Sequence, residues 1–370
     1  MKKVHLTAAL LILCGISIST LAVMTRADKT AQGPQPPQQQ KPAPRNLAIL
    51  IFDGVQIIDY TGPYETFGHA YGNDGPAFNI YTVTEKGGPI TTAMGMSVNP
   101  KYSFENAPRP DVLLVPGGVV EGQLSNPNVI KWVQSKAKDA EVVISVCNGA
   151  FILARAGLLD GLEATTTSNL IPLLRKEAPK VKVVDDRRYV DNGKIITTAG
   201  LSSGIDGSLH VIERFFGRGT AQMAALGMEY NWDPDSKFVR AALADKYMRF
   251  NYEVKHLEGG WKSLSRAGDS DQWENKWAVA TDTSAAELLE SVNNSIANSK
   301  TYGAAAHVKW ARQDGASARN TTQSLWQFTD EKGGTWNGVV RVEPVAGERN
   351  GFTLSVKIAR NNSNARLPAM

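Results

Sequence analysis

The chain of 370 residues is longer than a single hydrophobic core usually supports, so two domains are expected. Its formal net charge of +4 is small, and its Lys and Arg residues form no dense block along the sequence. This charge pattern gives no electrostatic support for nucleic-acid binding.

Residues 1–27 predict export. Lys2 and Lys3 are followed by a long apolar run and then by polar sequence, which is the pattern of a signal peptide. Cleavage is expected after Ala22 or Ala27. The mature protein is then periplasmic or secreted.

Two other interpretations of this N-terminal segment remain open. An uncleaved membrane anchor ranks second, because the apolar run is nearly long enough to span a bilayer. A lipoprotein at Cys14 ranks a distant third, because Leu13 is bulkier than the small residue usual at that position. If the segment is removed, Cys147 is the one cysteine left in the sequence, and an internal disulfide is excluded.

The sequence after the export segment divides into a linker and an α/β region. Residues 28–45 are rich in Pro and Gln, which predicts an extended linker. From 46 to 232, predicted strands (46–52, 78–84, 111–115, 141–146 and 195–198) alternate with predicted helices (63–71, 127–139, 149–159, 169–176 and 204–216). This alternation predicts an α/β domain with a doubly wound, mostly parallel sheet sandwiched by helices, which is flavodoxin-like. Its functional site is expected at the carboxyl ends of the strands.

Residues 233–370 predict a small C-terminal α+β domain of unknown role. A helix is expected over 237–254, and Ser284 with Glu287 forms a capping box for a helix ending near 297. Strands of an antiparallel sheet are expected at 276–281, 305–311, 324–329, 336–342 and 352–359. Five tryptophans are interpreted as core and sheet-face residues rather than a ligand cage: Trp273, Trp277, Trp310, Trp326 and Trp336.

The strongest chemical feature is Cys147, which ends a predicted strand and is followed at once by Asn148, Gly149 and a predicted helix. A strand that turns sharply into a helix at a nucleophilic residue predicts a nucleophile elbow. Because a helix N-terminus stabilises negative charge, we expect this thiol to ionise more readily than a free cysteine. The alternative is an inert buried cysteine, which the position of Cys147 at the turn disfavours.

Pro116, Gly117 and Gly118 close the strand that is expected beside the Cys147 strand. Two glycines let the backbone approach a bound group, and the amides of Gly118 and Asn148 are predicted to form an oxyanion hole. Taken alone, this tripeptide is only a turn signal. The predicted position beside the elbow supports the functional interpretation of this tripeptide.

Asp59 follows the first predicted strand, from where a carboxyl group can reach the strand ends near Cys147. Burial and a neighbouring thiolate raise the pKa of a carboxylic acid, which suits it to proton transfer. The alternative is that Asp59 caps the helix expected near Pro63. Asp53 and Glu65 are further acids available in this segment.

Five ordered motifs then occur in one chain, and they are Asp59-x-x-Gly62-Pro63-x-Glu65, Pro116-Gly117-Gly118, Cys147-x-Gly149-Ala150 with Ala156-Gly157-Leu158-Leu159-Asp160-Gly161, Ala164-Thr165-Thr166, and Thr198-Ala199-Gly200-x-x-x-Gly204-Ile205-Asp206. In this combination the chain resembles the ThiJ/PfpI superfamily, which has the class I glutamine amidotransferase-like fold. Within it the chain looks most like the isonitrile hydratase branch, which is also seen as the sensor-like domain of some AraC-type regulators. The resemblance covers about 46 to 232 and does not extend to the C-terminal region.

The resemblance implies that Cys147 is the nucleophile and Asp59 the acid/base, with Gly117, Gly118 and Asn148 binding an oxyanion or the substrate. Supporting positions are assigned to Glu65 and Asp206. Relatives commonly carry Thr where this chain has Asn148, so a hydroxyl role at that position is lost while its backbone N–H remains. The resemblance also implies a homodimer.

Histidine placement narrows the chemistry. His69 and His210 fall in amphipathic predicted helices and are interpreted as packing residues, while His256 and His307 belong to the C-terminal region. The residue directly after Cys147 is Asn148, whereas the peptidase-like members of the superfamily that the chain resembles have a His there. This difference counts against peptidase, amidotransferase and His-dependent glyoxalase activities. No metal and no cofactor is expected, because no His, Cys and carboxylate residues have the spacing of metal ligands.

Two functions are consistent with these residues. The first is an enzyme in which Cys147 and Asp59 add water to a small electrophile, with an isonitrile as the substrate that the resemblance implies. The second is a non-catalytic exported module in which the same pocket binds a metabolite or Cys147 senses oxidants. Transcriptional regulation is disfavoured, because export separates the chain from DNA and the C-terminal region lacks a pattern of two adjacent helices typical of a helix-turn-helix.

Overall fold

The structure is a computed structural model, and it describes residues 43–72, 75–236, 238–248, 260–298, 308–313 and 322–361. The described residues belong to one compact unit, which begins at Ala43. The predicted signal segment, nearly all of the linker and the predicted positions Cys14, His256 and His307 lie outside the described residues. Of the helices within these ranges, none is both long and apolar enough to cross a membrane.

A mostly parallel sheet forms the centre of the first half of the structure. The strands of this half are β1 (Arg45–Leu50), β2 (Tyr71–Gly72), β3 (Gly75–Pro76), β4 (Phe78–Thr84), β5 (Ile90–Thr91), β6 (Ser97–Val98), β7 (Tyr102–Ser103), β8 (Val112–Val115), β9 (Val142–Ser145), β10 (Glu163–Ala164), β11 (Lys182–Val183), β12 (Tyr189–Asp191) and β13 (Ile195–Thr198). Seven of them form the central sheet in the order β12-β13-β9-β8-β1-β4-β7. Within this seven-stranded sheet, as far as the structure describes it, the pairing of β12 with β13 is antiparallel and the other pairings are parallel.

Helices connect these strands, as the alternating pattern predicts. They are α1 (Ile57–Gly68), α2 (Glu121–Ser125), α3 (Pro127–Asp139), α4 (Gly149–Arg155), α5 (Ile171–Glu177), α6 (Ser203–Phe216) and α7 (Arg218–Gly227). The predicted helix at 149–159 ends earlier than expected, and Gly157 takes up a left-handed conformation with φ of +73°. The doubly wound α/β class predicted from the sequence is confirmed.

The central strands are buried on both faces. Every residue of β8 and β9 is buried, and their sequences VLLV and VVIS show no polar–apolar alternation. Leu113 and Ile144 have no exposed surface, and burying such side chains contributes roughly 1.5–3 kcal/mol each. The register pairs Val115 with Ser145, so β8 and β9 end side by side. The turns that follow them therefore meet at one edge of the sheet.

A second sheet, which is antiparallel, lies in the C-terminal region. Its strands are β14 (Gly260–Gly268), β15 (Gln272–Ala280), β16 (Ala311–Arg312), β17 (Gln323–Thr329), β18 (Thr335–Pro344) and β19 (Gly351–Arg360), in the order β14-β15-β19-β18-β17-β16. Helix α8 (Ala285–Asn298) packs on β17 and β18. The predicted capping box is present, because Ser284 N donates to Glu287 Oε2 at 2.8 Å and Glu287 N donates to Ser284 Oγ at 3.3 Å. The tryptophans predicted for the core are buried at Trp277, Trp310, Trp326 and Trp336, and Trp273 packs against them.

One prediction for this region is wrong, and one strand was missed. In place of a helix over 237–254, the described residues 238–248 form two short 3₁₀ turns, Arg240–Ala242 and Ala244–Tyr247; the rest of that range lies outside the described residues. Strand β14 was not predicted at all. Eight of its nine positions are exposed, so its sequence carries no apolar alternation to indicate a strand.

Candidate active site

Cys147 lies in the sharp turn between β9 and α4. Its φ is +57°, in the left-handed region that residues with side chains rarely adopt. Two backbone hydrogen bonds hold the turn to the neighbouring strands, from Val146 N to Val115 O at 3.1 Å and from Cys147 N to Ala199 O at 3.0 Å. The thiol is half-buried and free. The structure therefore has the strand–turn–helix elbow that the sequence predicts.

Two glycines make this close packing of backbones feasible. A Cβ on Gly149 would lie 2.2 Å from Val115 O. A Cβ on Gly117 would lie 2.1 Å from Asn148 Oδ1 and 2.9 Å from Asp59 Oδ2. Because glycine carries no Cβ, the turn after β8 can contact the elbow and the acid at the same time.

Asp59 lies in the first turn of α1 and is fully buried. Its Oδ2 accepts a hydrogen bond from Gly117 N at 3.1 Å. No described group donates to its Oδ1 with ordinary hydrogen-bond geometry, although the Cys147 thiol and the Leu201 N–H lie near enough to stabilise the ionised carboxylate. The alternative interpretation of Asp59 as a helix cap near Pro63 is wrong, because α1 already begins at Ile57.

The pKa values of the two groups are both raised. Burial raises the pKa of Asp59 to about 6, even though the Gly117 amide and the Cys147 thiol act to lower it. Burial, followed by the negative charge of Asp59, raises the pKa of Cys147 to about 12. At a pH between these two pKa values, the pair holds one dissociable proton. This proton is on the sulfur of Cys147, and the carboxylate of Asp59 beside it is ionised.

The expectation of an easily ionised thiol is therefore wrong. The Asn148 amide, at the start of α4, and the Thr167 hydroxyl do lower the pKa of Cys147. Their effect is smaller than that of burial and the adjacent carboxylate, and no cation among the described residues offsets these two causes. The thiol becomes a nucleophile in this site only when its proton moves to a neighbouring base.

Asn148 and Gly118 occupy each other's hydrogen-bonding groups. Gly118 N donates to Asn148 Oδ1 at 2.8 Å, and Asn148 Nδ2 donates to Gly118 O at 2.8 Å. The Gly118 amide predicted for an oxyanion hole is thus engaged by a side chain. The Asn148 N–H instead points to the Cys147 sulfur. An oxyanion at Gly118 would require the side chain of Asn148 to turn away.

Three further residues complete the site and were not predicted to contribute. Thr166 Oγ1 donates to Cys147 O at 2.9 Å, and the Thr167 hydroxyl contacts the sulfur. Leu201 lies beside Asp59 and has a left-handed backbone with φ of +56°. The run of threonines at 165–167 is a signal that could have indicated polar contacts to the elbow.

The two supporting acids lie in different surroundings. Glu65 is on the exposed side of α1, where it pairs with His69 at 3.7 Å, and no described contact joins it to Cys147. Asp206 is buried and accepts hydrogen bonds from Arg188 Nε at 2.6 Å and from the Tyr230 hydroxyl at 2.9 Å. Asp206 therefore ties α6 to the segments around it.

The other candidate residues lie apart from the pair. Asp53 is exposed and accepts a hydrogen bond from Thr91 N at 2.8 Å. His210 Nε2 lies 2.8 Å from Asp191 Oδ2, and its ring stacks on Tyr189. The packing role expected for His210 is consistent with these contacts. The site that the structure assembles is centred on Cys147 and Asp59.

Fold and site together define a doubly wound α/β protein with a cysteine at a nucleophile elbow and a buried acid beside it. Comparison with known proteins agrees with this class. The model of the DJ-1/PfpI family matches residues 45–214. The chain is 34% identical over 188 residues to the isonitrile hydratase of Pseudomonas putida. The aligned region covers 50% of this chain and 78% of that protein. The chain belongs to the DJ-1/PfpI family.

Two other similarities describe the range of relatives. The HTH-type transcriptional regulator GbdR of Pseudomonas aeruginosa is 26% identical over 184 residues, covering 50% of this chain and 49% of that protein. A crystal structure of a ThiJ/PfpI family protein from Pseudomonas syringae is 28% identical, with a TM-score of 0.47, and covers 56% of this chain and 86% of that chain. The family thus includes enzymes and regulators.

Proposed function

We propose that this protein is a cysteine-dependent hydratase that adds water to a small isonitrile and releases an N-substituted formamide. The observation that carries the proposal is the fully buried carboxyl group of Asp59 beside the Cys147 thiol, with one oxygen left without a hydrogen bond of ordinary geometry. The similarity to an isonitrile hydratase over 188 residues supports the choice of substrate.

An isonitrile suits a pair that shares one proton. Its terminal carbon must receive both a proton and a nucleophile before water can be added. At neutral pH the proton is on the Cys147 sulfur, and the Asp59 carboxylate is ready to accept it. The same two groups can therefore deliver a proton and a sulfur nucleophile to one carbon atom.

In the first half-reaction the S–H bond of Cys147 breaks and its proton passes to the Asp59 carboxylate. The sulfur then bonds to the terminal carbon of the isonitrile, and Asp59 donates the proton to that carbon. The product is a thioimidate in which the substrate nitrogen is doubly bonded to a carbon carrying one hydrogen and the sulfur. Asp59 returns to the carboxylate form.

In the second half-reaction Asp59 takes a proton from water, whose oxygen attacks the thioimidate carbon. Asp59 passes this proton to the substrate nitrogen, which gives a tetrahedral intermediate. When the carbon–oxygen double bond forms, the carbon–sulfur bond breaks and the hydroxyl proton returns through Asp59 to the sulfur of Cys147. One water has been added to the isonitrile, and both side chains regain their starting state.

A non-catalytic binding function is the second candidate. The reciprocal hydrogen bonds between Asn148 and Gly118 favour it, because they engage an amide that could otherwise stabilise a developing charge. Isonitrile addition places no negative charge on oxygen in its first step, so this pair is compatible with the hydratase. A small molecule that binds tightly and is recovered unchanged would favour the second candidate.

The experiment is incubation of the purified protein with methyl isonitrile, with N-methylformamide followed by mass spectrometry. Matched variants are Cys147→Ala and Cys147→Ser, which keep the size of the residue close to that of cysteine. Product from the wild type alone supports the proposal, and a thioimidate adduct on the Cys147 peptide supports the covalent step. Formamide from either variant at the wild-type rate rejects covalent catalysis by Cys147.

We also propose that this reaction takes place outside the cytoplasm. The basis is the predicted signal segment at 1–27, which lies outside the described residues. N-terminal sequencing of the protein from fractionated cells tests it. A mature chain that begins at residue 23 or 28 supports export, and an intact chain in the cytoplasmic fraction contradicts it.

A further inference from the structure

A cavity of about 360 Å³ lies next to the Cys147–Asp59 pair. Its lining includes Thr167, Ala199 and Leu201. Thr167 contacts the Cys147 sulfur, and Ala199 O accepts the hydrogen bond of the Cys147 amide. The Leu201 amide lies beside the Asp59 carboxylate. Cys147 and Asp59 are not themselves lining residues, but residues on one side of the cavity contact both of them.

The other side of the cavity comes from a segment beyond the family match, which ends at residue 214. Residues 238–241 line the cavity there. Val239 is buried, whereas Phe238 is 57% exposed. Arg188 Nη1 reaches Phe238 O at 3.5 Å, which joins this segment to the α/β region.

The charges around the cavity are already paired. Each of its three lining arginines has a carboxylate partner: Arg187 with Glu163 at 2.9 Å, Arg188 with Asp206 at 2.6 Å, and Arg240 with Asp245 at 2.7 and 2.8 Å. An anionic ligand therefore finds no unpaired guanidinium among the described lining residues. Leu201, Phe238 and Val239 supply apolar surface.

We infer that residues 238–241 form the wall of the pocket for the substrate's substituent and so determine which isonitriles react. This inference rests on the proposed hydratase function. The paired charges and apolar lining fit an uncharged substituent, and the volume falls near the lower end of small-molecule sites, which is about 300 Å³. A benzyl or cyclohexyl group is the class of substituent that this pocket takes.

The test compares benzyl isonitrile with methyl isonitrile as substrates. Phe238→Ala removes an aromatic side chain from the cavity lining, and Ala241→Leu fills part of the cavity. For each variant, the ratio of kcat/KM for the benzyl substrate to that for the methyl substrate is expected to fall by about tenfold. Leu264→Ala is the matched control, because Leu264 is an exposed apolar residue on β14 that does not line the cavity. For this variant the ratio of the two kcat/KM values is expected to equal that of the wild type.

A second readout separates this inference from the hydratase proposal. The rates at which N-benzylmaleimide and N-methylmaleimide modify Cys147 are measured by peptide mass spectrometry, which requires no turnover. The same fall in the benzyl-to-methyl ratio is expected for both wall variants. Unchanged ratios in both assays overturn the inference. If the wild type makes no formamide but the maleimide ratios shift, the hydratase proposal fails and the assignment of the wall stands.

Discussion

The side chain of Asn148 and the backbone of Gly118 exchange two hydrogen bonds, each 2.8 Å long and opposite in direction. This exchange ties the elbow that carries Cys147 to the turn after β8. The same turn contacts Asp59 through the Gly117 amide. Asn148 therefore helps to fix the position of the thiol relative to the acid.

Replacing Asn148 with Ala removes both hydrogen bonds and leaves Gly118 N and O without these partners. We expect the free energy of unfolding to fall by about 1–3 kcal/mol, measured by urea denaturation. Asn148→Asp is the matched variant, because it keeps an acceptor for Gly118 N and loses only the donor to Gly118 O. Equal stability of the Ala variant and the wild type would contradict this role.

Asp59→Asn is expected to stabilise the protein at high pH. The folded-state pKa of about 6 lies above the ordinary 3.8, so the folded protein binds this proton more tightly than the unfolded chain does. The resulting stabilisation is fully present below pH 4 and is lost as the pH rises through about 6. The Asn variant has no such loss, and Asn can still accept the hydrogen bond from Gly117 N.

The measurement is urea denaturation of both proteins at pH 4 and pH 8. The stability of Asp59→Asn relative to the wild type should be greater at pH 8 than at pH 4 by up to about 3 kcal/mol. If the free energies of unfolding of the variant and the wild type differ by the same amount at pH 4 and at pH 8, burial does not raise the pKa of Asp59.

The reactivity of the Cys147 thiol is expected to be low in the wild type and to increase when Asp59 is neutralised. Iodoacetamide reacts with the thiolate, so its rate at pH 8 should fall below that of a free cysteine. Asp59→Asn removes the carboxylate charge, and a fall of one unit in the pKa of Cys147 increases the rate by about tenfold. The rate is followed on the Cys147 peptide by mass spectrometry.

Unfolded protein in denaturant is the control for this reactivity, because Cys147 should then react equally fast in both proteins. A folded variant that reacts more slowly than the folded wild type would indicate that Asp59 activates the thiol at rest. That result would contradict the claim that the Cys147 thiol is protonated in the resting protein.

Much of the α/β fold could be predicted because burial on both faces leaves continuous apolar segments at the central strands. The start of α1 could not, since proline favours the first turn of a helix and Pro63 therefore suggested a start six residues late. Pro63 instead lies inside α1, where its missing N–H leaves Asp59 O without the usual helical partner. Strand β14 was missed because it is almost entirely exposed.

The candidate site was predictable in its residues but less so in its chemistry. The sequence places Cys147 after a buried strand and Asp59 after the first strand, and parallel strands bring these positions to one edge of the sheet. The pKa of the thiol depends on whether burial and charge outweigh two hydrogen bonds, and this balance requires the positions of Asp59 and Thr167. The pairing of Asn148 with Gly118 is a tertiary contact without a sequence pattern.

The most direct test of the central claim is the pH dependence of kcat/KM for methyl isonitrile hydration, measured with the wild type, Cys147→Ser and Asp59→Asn. For the wild type we predict an increase through about pH 6, as Asp59 becomes able to accept the thiol proton, followed by a plateau to pH 9. Both variants should lose activity by at least about 100-fold at pH 8. A wild-type profile with no change near pH 6, or an Asp59→Asn variant as active as the wild type, would contradict proton transfer between Cys147 and Asp59.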